Sequence, residues 1–326
     1  MPTTIVKTVK PSGGDYTSLS AWESGQQGDL VTNDQIQQAE CYAMVDTTAI
    51  DINGWTTDAT RYIRVTVPTA ERHDGKRNTS KYRIVGVADF AVGLLQINED
   101  YVRCEGLALR NTSTVDAAGI RVNGATTDII FSDCIVYDCG TNGSGFFLQT
   151  PSKVTLLNCV SMNNGGSGIQ VGSGGATVAY AYNCTSVNNV KAGFTVAAFR
   201  TLHSKNCYAG GNTLDDFETP TDATHNKTTC HSEDATGNTT TAFSTSSGAY
   251  FTNVTAGSED VHIGASSALK DVGTDLSGDS QWVHPGGNVD IDGQARSTWD
   301  IGADEYMAAA GGPGPALQFI QPGLRW

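Results

Sequence analysis

Four short segments carry one five-residue phrase: Ala118-Gly119-Ile120-Arg121-Val122, Ser144-Gly145-Phe146-Phe147-Leu148, Ser167-Gly168-Ile169-Gln170-Val171 and Ala192-Gly193-Phe194-Thr195-Val196. Their glycines stand 26, 23 and 25 residues apart. Each phrase reads small, Gly, apolar, any, apolar, which is a turn followed by a strand whose alternate residues face one way. A second series runs in step: Asp133-Cys134, Asn158-Cys159, Asn183-Cys184 and Asn206-Cys207, with Cys230 following 23 residues after Cys207. Two markers that recur at one shared period define a repeat array, and its unit is made of strands.

Between glycine phrase and cysteine lies a second strand-like run: Ile129-Ile130-Phe131, Val154 to Leu157, and Val178 to Tyr182. A third follows the cysteine, as Ile135-Val136-Tyr137, Val160-Ser161-Met162 or Thr185-Ser186-Val187. Asn163-Asn164, Asn188-Asn189 and Gly211-Asn212 then close the unit. Three short strands per period with Gly and Asn at the corners describe one coil of an all-β parallel β-helix. Coils stack at about 4.8 Å, so like residues meet in ladders. Asn suits a corner because it tolerates a left-handed backbone and its amide can bond along the stack. Cys suits an interior rung as a small, soft hydrophobe.

These glycine phrases and Asn-Cys corners resemble the right-handed parallel β-helix repeats of the pectate-lyase-like superfamily. A second resemblance lies in Glu259 to Ile263, Ala268 to Gly273, Asp290-Ile291-Asp292-Gly293-Gln294-Ala295-Arg296 and Trp299 to Tyr306. That order is similar to the closing segment of many bacterial and phage-encoded β-helix proteins of unassigned function. The two resemblances cover roughly residues 80 to 306. They imply a single-stranded, right-handed solenoid and speak weakly to activity, because this fold hosts lyases, hydrolases, isomerases, adhesins and virion spikes.

Composition narrows the partners. A net charge of −14 leaves no basic face for nucleic acid and disfavours anionic membrane surfaces. No run of about 18 apolar residues is present to span a bilayer. The first residues, Met1 to Lys7, lack an apolar signal region, so export by the ordinary secretory route is not expected unless a leader has been cut away. Synthesis in a reducing cytoplasm would keep Cys134, Cys159, Cys184, Cys207 and Cys230 as free interior thiols. No C-x-x-C pair suggests zinc.

Along the chain, residues 1–80 read as an N-terminal cap with first strands. Asp15 to Glu23 reads as a short capped helix that covers the open end of the solenoid. Strand-like runs follow at Cys41 to Val45 and Tyr62 to Val67. Residues 71–81 form the densest charged loop. The repeats occupy 81–250, with long loops expected to leave the solenoid over 213–250, and the closing segment occupies 251–306. Met307 to Pro315 reads as a Gly/Ala/Pro linker to an apolar tip of Leu317, Phe319, Ile320, Leu324 and Trp326. Such a tip either folds back on its own β-helix or docks on a partner chain.

Chemistry is sparse. Glycosidic acid–base work needs two carboxylates about 5 to 10 Å apart. The outward positions of the four glycine strands are Arg121, Phe147, Gln170 and Thr195, none of them acidic. Asp133 stands where other coils carry Asn and reads as a ladder member; Asp116 and Asp128 read as turn residues able to approach each other. Asp290-x-Asp292-Gly293 resembles the opening of a calcium loop without its later ligands, and Arg296 is expected to pair with Asp290 or Asp300 instead. His203, His225, His231 and His262 have no regular spacing and read as surface residues. Asp215, Asp216 and Glu218 form the one cluster worth testing for hydrolysis. No catalytic, cofactor-binding or metal-ligating residue is assigned, and no nucleotide fingerprint occurs.

Two functions fit. The first is a non-enzymatic structural protein of a virus particle, such as a head-decoration, fibre or tail-associated component. It would be made in the host cytoplasm and anchored through its C-terminal tail to other virion proteins. The resemblance implies self-association, trimers being common among viral β-helices. The second is an extracellular or tail-spike carbohydrate-active β-helix acting on surface polysaccharide. The missing leader and the tethered tail favour the first.

Overall fold

The computed structural model describes residues 1–307 apart from 89–91, 125, 173, 175–176 and 242–249. Three sheets form the walls of a parallel β-helix: nine strands from the positions before the cysteine corner, nine from those after it, and seven from the glycine phrases. The register follows the sequence ladders. Ile120, Phe146, Ile169, Phe194 and Phe217 stand above one another on the glycine-strand sheet, with every side chain buried. Phe194 and Phe217 stack with centroids 4.8 Å apart. One coil therefore repeats the apolar burial of the last, and the core runs unbroken from Val9 to Cys230.

The corners behave as their residue types dictate. Asp133, Asn158, Asn183 and Asn206 all adopt a left-handed backbone, φ 50 to 53°. Asn158 Nδ2 donates to Asp133 Oδ1 at 3.1 Å, and Asn206 Nδ2 reaches Asn183 Oδ1 at 3.4 Å. A second ladder joins Asn164 to Asn189 at 2.9 Å and Asn189 to Asn212 at 3.0 Å. All eight cysteines are buried free thiols. The five that follow the corners sit against the carbonyls of the coil beneath, as Cys159 Sγ does at Phe131 O.

The N-terminal end is more solenoid than cap. Thr3–Val9 pairs in parallel with Gln35–Cys41, so the sheet before the corner begins at the third residue. The expected helix forms as α1 (Leu19–Gln26), capped by Ser18, with Leu19 and Trp22 fully buried over the first coil. A second short helix, α2 (Leu30–Asn33), follows Asp29 as its cap. The run Cys41 to Val45 is a corner rather than a strand: Gln35–Cys41 ends there, Val45–Asp46 begins the next wall, and Ala43 N donates between them to Glu71.

Among the described residues, 213–241 stay with the coils rather than leaving as long loops. Phe217–Glu218, Thr224–Thr228, His231–Ser232 and Thr239–Thr240 continue the walls. The pattern is blurred because His225 and Lys227 pair with buried Leu202 and Ser204 of the coil below, where an apolar residue would otherwise stand. Thr224–Thr228 is the last described strand of its wall, and its polar residues suit an end.

The closing segment turns back along the outside. Phe251, Val261, Ile263, Leu269, Ile291 and Ile301 pack on Ile135, Tyr137, Val160, Met162, Val187 and Tyr208, the outward residues of the sheet after the corner. Leu276, Trp282 and Trp299 cover Leu157 and Tyr182 on the neighbouring wall. The segment thus packs on outward residues of two of the three walls. Among the described residues, neither cluster includes an outward residue of the glycine-strand sheet.

Candidate functional site

On the outer face of the glycine-strand sheet the residues alternate with the buried stack and form an outward ladder. Register places Asp51, Gln96, Arg121, Phe147, Gln170, Thr195 and Glu218 on consecutive rungs. The acids at either end escape a reading confined to the four clear phrases. Continuing the period from Thr195 by 23 residues reaches Glu218, which is the signal that could have found it.

A cleft of about 210 Å³ opens at the middle of this ladder, between Asp116, Arg121, Phe147, Gln149, Gln170 and Lys191. Arg121 dominates it. Its residue is only 9% exposed, and its Nε donates to Gln149 Oε1 at 2.8 Å, with Nη2 on the same oxygen. Its guanidinium carbon lies 5.5 Å from the Phe147 ring centre. Burial lowers the Arg121 pKa from its ordinary value, opposed by the charge of Asp116. Among the described residues, no carboxylate forms an ion pair with it. Gln170 is held by Ser144, whose Oγ donates to its Oε1 at 2.8 Å. The cleft thus presents a buried cation, an exposed lysine, fixed amides and an aromatic ring.

The acids singled out from sequence separate. Asp216 is buried, accepting from Glu233 N at 2.7 Å and from Asn212 Nδ2 at 2.7 Å; burial raises its pKa to about 6. It closes a corner, while Asp215 is exposed and Glu218 faces outward on the glycine-strand sheet. Asp116 stays at the cleft, whereas Asp128 belongs to the neighbouring wall and pairs with Arg103.

Asp133 is a ladder member and more. It lies buried among Arg72 Nη1 at 3.0 Å, His284 Nε2 at 2.9 Å and Asn158, while His73 Nε2 meets its carbonyl at 2.7 Å. Burial pushes its pKa up, but His284 and Arg72 outweigh that and hold it below the usual range. Neither His73 nor His284 was apparent as a partner from spacing. Arg296 pairs with Glu305 at 3.2 Å rather than with Asp290 or Asp300. Asp290 is committed to the backbone N–H groups of Asp292, Gln294 and Glu305, and Asp300 to those of Asp271 and Tyr306. The freed end of Arg296 reaches Asn158 Oδ1 at 3.1 Å, so the closing segment is fastened to the corner ladder.

The histidines are not all surface residues. His231 is buried against Thr241, His225 bonds Ser204, and His203 stacks on Tyr180 at 5.0 Å. His262 sits between Asp260 and Asp292, and these hydrogen bonds raise its pKa to about 11. The tail residues Leu317, Phe319, Ile320, Leu324 and Trp326 lie outside the described residues.

A family profile described as the right-handed β-helix region matches residues 92–256, just over half of the chain. Among solved structures, the crystal structure of pectate lyase Pel9A is similar in fold, with a TM-score of 0.41 and 13% identity over 91% of this chain and 97% of that one. Comparison with curated proteins gives no match. Profile and observed coils agree: this chain belongs to the family of right-handed β-helix proteins.

Proposed function

We propose that this β-helix binds an anionic polysaccharide in the cleft of its glycine-strand sheet. The observation that carries the reading is Arg121. A guanidinium withdrawn from water is costly unless it meets an anion, and its planar fork suits a carboxylate bound through two hydrogen bonds. The sugar carboxylates of a polyuronate would supply that anion. Phe147 offers a face to a sugar ring, and Gln149 and Gln170 offer fixed polar groups. Asp116 is the one acid among the described residues lining the cleft, so the carboxylate pair that glycoside hydrolysis requires does not stand there.

Calorimetric titration with polygalacturonate and with neutral dextran tests this. The wild type should bind the polyuronate selectively, and Arg121→Gln should weaken it at least tenfold. Equal binding of both glycans, or an unchanged Arg121→Gln variant, would overturn the reading. Accumulation of unsaturated uronides or new reducing ends would assign the cleft to catalysis instead.

We propose further that the chain works as a virion component, self-associated and held to other particle proteins by residues 307–326. The packing of the closing segment on outward residues of two walls supports a tail spent on a partner. Deleting residues 307–326 should leave the thermal melt unchanged while co-sedimentation with assembled particles falls sharply. A truncation that melts early yet still binds would place the tail in the fold.

A further inference from the structure

We propose that His262, Asp292 and Asp304 bind one divalent transition-metal ion, Zn²⁺ or Mn²⁺, which clamps the closing segment shut. One ligand atom from each of the three lies within 4.8 Å of the others. The three come from separate stretches. His262 and Asp260 project from the outer side of the strand Asp260–Ile263, whose Val261 and Ile263 are buried beneath. Asp292 is presented by the turn that Asp290 organises, and Asp304 lies just before the end of the described chain.

Two features point to an ion rather than to an ordinary charged cluster. First, Asp304 is only 3% exposed, with one oxygen accepting from Ile263 N at 2.7 Å and the other, Oδ1, buried without a partner. Asp292 Oδ1 is likewise buried and unpartnered. Two orphan carboxylate oxygens in one place are costly unless a cation takes them. Second, Asp260 Oδ1 bonds His262 Nδ1, leaving Nε2 directed at Asp292 Oδ2, 2.6 Å away. A carboxylate behind the imidazole that fixes its tautomer and aims the other nitrogen is the usual outer shell of a metal-binding histidine.

The donor set selects the ion. One imidazole nitrogen with two carboxylates suits zinc or manganese, whereas calcium favours oxygen ligands throughout. Space is reserved as well. Gly75 passes over the site with φ +72°, and a Cβ there would come within 2.9 Å of Asp292 Oδ1 and 3.2 Å of His262. An ion at this point joins the strand, the turn and the stretch around Asp304. The competing arrangement is a metal-free imidazolium held between Asp260 and Asp292.

The test uses the full chain after chelator treatment, titrated calorimetrically with ZnCl₂ and MnCl₂, and with CoCl₂ for its visible absorption. One ion per chain should bind saturably. Asp304→Asn and His262→Gln should weaken binding at least thirtyfold. Asp260→Asn, which only positions the imidazole, should weaken it about 10- to 100-fold. The wild-type melt should rise with Zn²⁺ or Mn²⁺ and that of Asp304→Asn should not. Absence of a saturable site in the wild type overturns the proposal whether or not the variants fold. So does binding that persists unchanged in a folded Asp304→Asn variant.

Discussion

The middle coils and the closing segment differ in how their contacts are arranged. From residue 118 to 212 each coil repeats the last, and its stability is spread over equivalent apolar rungs and amide ladders. From 250 to 306 two strands pair without a repeat; the segment lays an apolar face on the coils and is pinned besides by buried polar contacts to residues distant in sequence. His284 meets Asp133 across 151 positions, and Arg296 meets Asn158 across 138. A solenoid wall can tolerate a weakened rung because its neighbours stand on either side. A single buried pin such as Asp133 between Arg72 and His284 is less forgiving, since losing one partner strands the others.

That contrast breaks most readily at Gly168. A Cβ there would lie 1.9 Å from Ser186 Oγ and 2.8 Å from Gly193 O, so the strain is a clash with the next coil and not an unusual φ. Gly168→Val should lower stability by about 3 kcal/mol or more, given the cost of overpacking a filled interior. Gln170→Val, two residues on and facing outward, should change it by less than about 1 kcal/mol. Equal melting temperatures would mean the register of the coils is wrong.

The fastening is tested at its buried centre. Asp133→Asn leaves Arg72 and His284 facing an amide, and the expected loss is about 3 kcal/mol. Hydrogen exchange should rise first in residues 284–296 rather than in the coils. Uniform loosening of the whole chain would show that the two regions unfold as one and would remove the distinction.

A smaller effect should appear with pH. Burial, only partly offset by the N–H groups of Asp271 and Tyr306, raises the Asp300 pKa to about 6. A carboxyl raised in the folded state contributes stability that is present below its unfolded value, near 3.8, and is lost as pH rises through about 6. The melting temperature of Asp300→Asn relative to wild type should therefore increase across that window. An unchanged difference from pH 4 to pH 7 would refute the assignment.

The same contrast explains what could be read in advance. Period and residue type were enough to place Ile120, Phe146 and Ile169 inside and Arg121, Phe147 and Gln170 outside, because a coil's neighbours are set by counting. Cys134 and its successors were legible as interior rungs for the same reason. The end of the array was not: His225 and Lys227 stand where apolar residues would keep the rhythm, so the last strands looked like loops. The closing segment defeated spacing altogether. Nothing local told that Arg296 would reach Glu305 and Asn158, or that His262 would face Asp292 and Asp304, since those neighbours depend on how the segment lies across the coils. Arg121 was found as an outward residue, but its burial and its want of a carboxylate partner became visible only with the cleft.

The proposed ligand lies on the glycine-strand wall, away from the described contacts of the closing segment. Hydrogen exchange of the wild type with and without saturating polygalacturonate tests this placement most directly. Protection gained in residues 118–122, 146–149 and 169–171, with none over 260–304 and none in Arg121→Gln, is the predicted result. Protection confined to the closing segment, or identical footprints in wild type and variant, would contradict it.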